Sequence, residues 1–229
     1  RMSLDECVTA LKELRLGEGC VSVLLSKALG YAIVFGAGAL KLPQILKVVS
    51  LGSAEGLSRT AFGVECVNYG VQLAYGVEKG LPFSAYGEVA FILLQNIVLM
   101  FLMAMYNPPG MGRLALEGTV AALLVGCIVQ GFLSGPLLET ALSLNYGMLF
   151  LGARVPQIVA NHRAGNTGAA SVTTQFLSTA GSAVRVFTTI QEDGGAANLW
   201  GFIIGFGLNA IIFLQILAYG GKKESKKED

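Results

Sequence analysis

Arg185 stands in the run Ser182-Ala-Val-Arg-Val-Phe-Thr188, inside a stretch otherwise apolar enough to lie in lipid. A guanidinium in that setting is costly unless a carboxylate or an anionic ligand faces it. Glu65 and Glu88 are the carboxylates placed to pair with it, and depth favours Glu88. Two readings stand for Arg185. One is a structural ion pair; the other is a phosphate site, in which binding of the anion displaces a carboxylate from the arginine. Glu65 and Gln72 are seven residues apart and share one helical face, with Asn68 about one turn from both. Asn145 belongs with this polar set, followed by Tyr146, Gln95 and Asn96, although an amide in a membrane helix is more often glue between helices. Lys41 and Arg154 each precede a Pro-Gln pair and either engage an incoming phosphate or snorkel toward headgroups. A nucleophile elbow, a phosphate-cradling glycine loop and a close carboxylate pair are all missing, so the chain reads as a non-enzyme. The four cysteines and His162 have no metal-ligand spacing, and no cofactor is expected.

The elements that hold these residues are membrane helices. Hydrophobic residues make up 53% of the 229, and charged ones 14%, against roughly 25% charged in a soluble domain. Net charge is +1, which gives no reason to expect nucleic acid as a partner. A spanning helix needs about 20 mostly apolar residues. Seven such stretches run near Leu24–Leu46, Thr60–Val77, Ala85–Tyr106, Leu114–Leu133, Leu138–Ala160, Val172–Ile190 and Ala197–Tyr219. The fold expected is therefore all-α and polytopic, with seven transmembrane helices.

An internal repeat organises them. Lys41-Leu-Pro-Gln-Ile-Leu aligns with Arg154-Val-Pro-Gln-Ile-Val, 113 positions later, and the register continues through Gly52 to Gly165 and Ser58 to Ser171. The first helix of one copy lies four helices before that of the other, so both copies run the same way. The organisation predicted is 3+1+3: segment 1–23, a three-helix repeat over 24–106, a linker helix over 107–136, a second repeat over 137–220, and a tail, 221–229. Each proline removes an N–H and frees a carbonyl, which lipid requires to be satisfied internally. The adjacent glutamine is the partner expected, making Pro43 with Gln44, and Pro156 with Gln157, candidate hinges.

Basic residues accumulate on the cytosolic side of membrane proteins. Lys41, Lys47, Arg59, Arg113, Arg154, Arg163, Lys222, Lys223, Lys226 and Lys227 fall on one side, against Arg1, Lys12, Arg15, Lys27 and Lys79 on the other. This predicts a lumenal N-terminus and a cytosolic C-terminus. The first 20 residues show no small-residue cleavage site and do not read as a cleaved signal. Lys226 and Lys227, third and fourth from the end of the sequence, resemble a dilysine retrieval signal of the endoplasmic reticulum. Cys7 and Cys20 both fall on the lumenal side, where a disulfide persists. Cys66 and Cys127 lie in apolar helices as packing residues.

Paired Pro-Gln motifs in such a chain resemble the PQ-loop family, which includes SWEET sugar transporters and cystinosin. Further stretches resemble its dolichol-phosphate-sugar branch: Leu24-Leu-Ser-Lys-Ala-Leu-Gly30, Ser53-Ala-Glu-Gly-Leu-Ser58, Pro82-Phe-Ser84, Gly87-Glu88, Asn166-Thr-Gly168 and Arg185-Val-Phe-Thr-Thr-Ile-Gln-Glu192. That resemblance implies residence in the endoplasmic reticulum. It also implies a requirement for use of dolichol-phosphate-mannose and dolichol-phosphate-glucose by lumenal glycosyltransferases. The partners implied are those lipids, the membrane and the transferases. A SWEET-like carrier of a small soluble solute and a non-transporting adaptor subunit remain as alternatives.

Overall fold

The computed structural model describes residues 18–129, 134–167 and 171–219. Every regular element among them is helical. In chain order they are α1 (Glu18–Ala39), α2 (Leu42–Leu51), α3 (Arg59–Glu78), α4 (Phe83–Tyr106), α5 (Met111–Val129), α6 (Gly135–Leu149), a π-helical stretch (Phe150–Arg154), α7 (Val155–Ala164), α8 (Val172–Gln191) and α9 (Ala196–Tyr219). Three segments, Cys20–Leu51, Phe83–Tyr106 and Ala196–Tyr219, are each long and apolar enough to cross a bilayer. Side-chain placement agrees with a lipid solvent. Phe35, Phe101 and Leu214 are 78%, 66% and 61% exposed, whereas Asn96 and Arg185 are 0% and 5% exposed. Apolar groups outside and polar groups inside are what a bilayer selects. The chain is a multi-pass membrane protein.

In the first apolar stretch, where a proline hinge was expected, the helix breaks into two. α1 stops at Ala39, Lys41 takes φ −103° and ψ 1°, and α2 starts with Pro43 in its first turn. Proline carries no N–H, and it biases the residue before it away from α geometry. The second copy meets the same problem differently. Its chain stays helical but widens, so that the Val155 N–H donates to the Phe150 carbonyl five residues back. Beyond the prolines the copies agree again. α2 ends at Gly52 with φ 58° and α7 at Gly165 with φ 62°, a left-handed cap that glycine adopts without penalty. Ser58 then accepts the Ala61 N–H, and Ser171 the Thr174 N–H, each at 3.3 Å. A serine cap thus starts the next helix in both repeats.

The chain forms two compact units, one reaching to Leu142 and including Gln191–Gly194, the other built from Ser143–Ile190 and the chain from Gly195 on. In the first unit α4 packs against α1, α2 and α3, and α5 lies on α3. Val48, Phe62, Leu99, Leu102 and Met103 form its apolar core. In the second unit α9 packs against α7 and the π-helical stretch. Close helix approach rests on glycine at particular points. A Cβ on Gly30 would stand 2.9 Å from the Ser84 backbone oxygen, and one on Gly201 would stand 2.5 Å from the Tyr146 ring. Gly36, on the same helix as Gly30, faces open space. Gly30→Ala is therefore expected to cost about 1–3 kcal/mol, because backbone cannot retreat as a side chain can. Gly36→Ala should leave stability unchanged or higher. Thermal unfolding of the two variants in one detergent checks the contrast.

Candidate functional site

The break at Lys41 leaves a backbone donor and a carbonyl apart that a continuous helix would join. Gln95, from α4, joins them instead. Its Oε1 accepts the Lys41 N–H at 2.7 Å, and its Nε2 donates to the Ala37 carbonyl at 2.8 Å and to Phe91 O at 2.9 Å. One side-chain amide has taken the place of a missing rung in the helical ladder. The expectation for Gln44 concerned the carbonyl that Pro43 frees, four residues back at Ala39; the rung between Lys41 and Ala37 is met by Gln95. Gln44 lies beyond the break, whereas Gln95 is 6% exposed and reaches it from the packed neighbour.

The same residue anchors an ion pair. Lys41 Nζ meets Glu65 Oε2 at 2.5 Å and lies 4.6 Å from the centre of the Phe62 ring. Asn96 Nδ2 donates to the same Glu65 oxygen at 3.0 Å. Lys41 is held by the first unit's own carboxylate. Asn68 and Gln72 are half-buried on Glu65's helix, and Glu88 is half-buried near the start of α4.

Arg185 is buried in α8. Its helix is hydroxyl-rich on the approach: Ser178 donates to Thr174 O at 3.0 Å, and Ser182 to Ser178 O at 2.8 Å. Asn209 of α9 donates to Ser182 Oγ at 3.2 Å, and Gln175 Nε2 donates to the Asn209 carbonyl at 2.9 Å. Asn209 lies 113 positions after Asn96, so the same asparagine ties the third helix of each repeat to the second. Asn145 is buried at 5% exposure, and the neighbouring Tyr146 hydroxyl donates to Asn198 Oδ1 at 3.0 Å. Arg154 ends the π-helical stretch, half-buried. Pro43 and Pro156 are exposed, and Gln157, like Gln44, is half-buried. Cys20 is disulfide-bonded, and Cys66 and Cys127 are free. Cys7, Lys226 and Lys227 lie outside the described residues.

Sequence reasoning missed a second polar cluster in the first unit. Lys27 Nζ meets Glu192 Oε1 at 2.9 Å, and the Ser84 hydroxyl donates to that oxygen at 2.8 Å. Glu192's side chain is 4% exposed. The signal was there, because Lys27 falls inside the first apolar stretch, where a charge marks a site rather than an orientation. Arg59 grips both oxygens of Glu117 with Nε and Nη2, and Arg113 adds a bond at 3.1 Å. At the exposed end of α3, the Glu139 carboxylate hydrogen-bonds Lys79 and holds its ammonium above the usual lysine range. Lys79 therefore keeps its charge until strongly alkaline pH and gives no pH dependence near neutrality.

No cluster of three or more His, Cys, Asp or Glu among the described residues could hold a metal ion. Each unit, taken by itself, offers a buried or half-buried cation, amides and hydroxyls on lipid-solvated helices, beside one Pro-Gln helix whose end matches that of the other copy. This is the construction of a repeat-built membrane protein. The PQ loop repeat model matches residues 25–85 and 139–195, one copy in each half, and the chain belongs to the PQ-loop repeat family. It is 26% identical over 181 residues to human Solute carrier family 66 member 3, covering 79% of this chain and 87% of that protein.

Gln95→Leu should strip the Lys41 N–H of its partner and leave the Ala37 carbonyl with the Leu40 N–H alone. A cost of about 1–3 kcal/mol is expected for the orphaned N–H, with hydrogen exchange at Lys41 rising in step. Gln44→Leu, beyond the break, should change neither. Thermal unfolding combined with amide exchange distinguishes the two glutamines.

Proposed function

We propose that the chain is a family member of the mannose-phosphate-dolichol utilization defect 1 type. In this reading it sits in the endoplasmic reticulum membrane and binds dolichol-phosphate-mannose and dolichol-phosphate-glucose. It then translocates or presents them for lumenal glycosyltransferases. The arrangement proposed is seven spans in 3+1+3 order, with the N-terminus lumenal and the C-terminus cytosolic. The observation that carries the reading is Arg185, a buried guanidinium on a hydroxyl-lined membrane helix. A phosphate monoanion or diester wants that guanidinium, and sugar hydroxyls want hydroxyl and amide partners. The ordered set of motifs ending in Arg185-Val-Phe-Thr-Thr-Ile-Gln-Glu192 supports the lipid-linked sugar as ligand. The disulfide at Cys20 supports a lumenal N-terminus, since disulfides persist in oxidising compartments. Cys7 is the partner proposed for it.

A second reading is a carrier of a small soluble solute. The relative's designation as a solute carrier favours it.

The decisive measurement uses proteoliposomes loaded with dolichol-phosphate-mannose labelled in the sugar and an impermeant probe of the outer leaflet. Wild type should expose the inner-leaflet pool, and Arg185→Ala should fall to the rate of empty liposomes. Wild type matching empty liposomes would exclude direct translocation and leave presentation. Uptake of a free sugar by the same vesicles, with no lipid exchange, would establish the soluble-solute reading. Peptide mapping of the oxidised protein is expected to recover Cys20 joined to Cys7, with Cys66 and Cys127 as thiols.

A further inference from the structure

We propose that Lys27, Ser84 and Glu192 form a recognition site for sugar hydroxyls, with the second oxygen of Glu192 as its acceptor. The inference deepens the reading above and rests on it for a lipid-linked source of the sugar; the hydroxyl chemistry is the same for a free sugar. Three stretches far apart in sequence meet here: 24–30 on α1, 82–84 at the start of α4, and 185–192, whose last two residues belong to the first unit.

Bonds within the cluster close a triangle. Lys27 Nζ donates to Glu192 Oε1 at 2.9 Å and to Ser84 Oγ at 3.0 Å, and the Ser84 hydroxyl donates to the same Glu192 oxygen at 2.8 Å. Every one of these bonds to the carboxylate falls on Oε1. Oε2 is buried with no hydrogen-bond partner among the described residues, on a side chain 4% exposed. A buried acceptor left unmet costs free energy. The Lys27 ammonium has three N–H groups and uses two in the triangle. Its side chain is 20% exposed, so the cluster is open on that side.

Ser26 supplies an independent observation. It is 1% exposed, and its hydroxyl oxygen is buried without a partner among the described residues. It lies one turn before Gly30 on the same face of α1, the face on which a Cβ at Gly30 would stand 2.9 Å from the Ser84 backbone oxygen. Ser26 therefore lies in the seam between α1 and α4 that also holds the triangle. The repeat pairs it with Glu192. Their copies, 113 positions away in each case, are Glu139 and Lys79, and those two bond each other at 2.6 Å. Where one copy fills the place with an ion pair, the other has a short serine and a carboxylate, each with an unmet oxygen.

A ligand for this set must donate to Oε2 and accept from Lys27 while leaving the ion pair intact. A hydroxyl does both at once, and two adjacent hydroxyls engage the carboxylate, the ammonium and Ser26 together. A phosphate accepts from the ammonium but sets negative charge against a buried carboxylate oxygen, and an amine cation meets Lys27 with like charge. The site therefore selects a neutral polyol. Thr140 stands for Lys27 and Ala197 for Ser84 in the second repeat, so the triangle has no copy there.

The test is equilibrium binding to the full chain in lipid nanodiscs, with three probes: dolichol-phosphate-mannose, dolichol phosphate and free mannose. Glu192→Gln is the informative variant. Its amide oxygen can keep the bonds from Lys27 and Ser84, while its NH2 puts donors where Oε2 accepts. Wild type should bind dolichol-phosphate-mannose more tightly than dolichol phosphate. Glu192→Gln should lose about ten- to a hundredfold in affinity for the sugar lipid, the worth of one hydrogen bond to a charged acceptor, with dolichol phosphate unchanged. Ser26→Ala, which removes no charge, should lose about two- to tenfold in the same sense, and it decides the matter if Glu192→Gln does not fold by thermal unfolding. Mannose bound through Glu192 while neither lipid binds keeps the site and overturns the lipid-linked source. Equal binding of the two lipids to wild type, or a sugar preference that survives in Glu192→Gln, overturns the site and leaves the lipid reading standing; an ordered water then fills the place. Equal losses for both lipids mark a structural pair and overturn it too. Binding of none of the three probes overturns both claims.

Discussion

Lipid offers a backbone no hydrogen bonds, and the structure is arranged around that constraint. A Pro-Gln pair in a membrane helix opens the ladder where water cannot repair it. The first repeat repairs it from outside with the amide of Gln95, which spans Ala37 O and the Lys41 N–H. In the second the turn ahead of the proline widens instead, and the Val155 N–H reaches Phe150 O. α4 must lie against α1 for the first solution to exist, and the central position of α4 in its unit follows from the same need.

The two solutions give the repeats different mechanical characters. A broken helix held by side chains bends by exchanging those side chains. A widened but continuous helix keeps its backbone bonds through the bend. Around both, the repeats share their smaller fittings: a left-handed glycine at the end of the Pro-Gln helix, a serine cap on the next, and an asparagine joining the third helix to the second. Duplication preserved the frame, and divergence placed charge on it unevenly.

Charge in this protein is handled in local pairs. Lys41 with Glu65, Lys27 with Glu192, and Arg59 with Glu117 are each satisfied inside the first unit. A buried cation paired in this way contributes little net stability over an apolar alternative. Its retention in lipid points to work that an apolar residue cannot do.

The sequence by itself determined the helical class, the repeat and its offset, and the special character of Pro-Gln, because each rests on composition or on spacing along one chain. Apolar runs of spanning length require helices, and glycine and serine at matched positions mark matched helix ends. Lys41 and Glu65 were legible as polar residues, but not as partners, because a salt bridge depends on which helices touch. Gln95 and Asn96 read as generic glue from their type alone. Only tertiary packing decided that one mends the broken ladder and the other bonds the acid. Lys27 and Glu192 lie far apart in sequence, and no local pattern joins them. Periodicity reports the face a residue occupies; the neighbour on that face is chosen by packing, and the chemistry of the site follows from that choice.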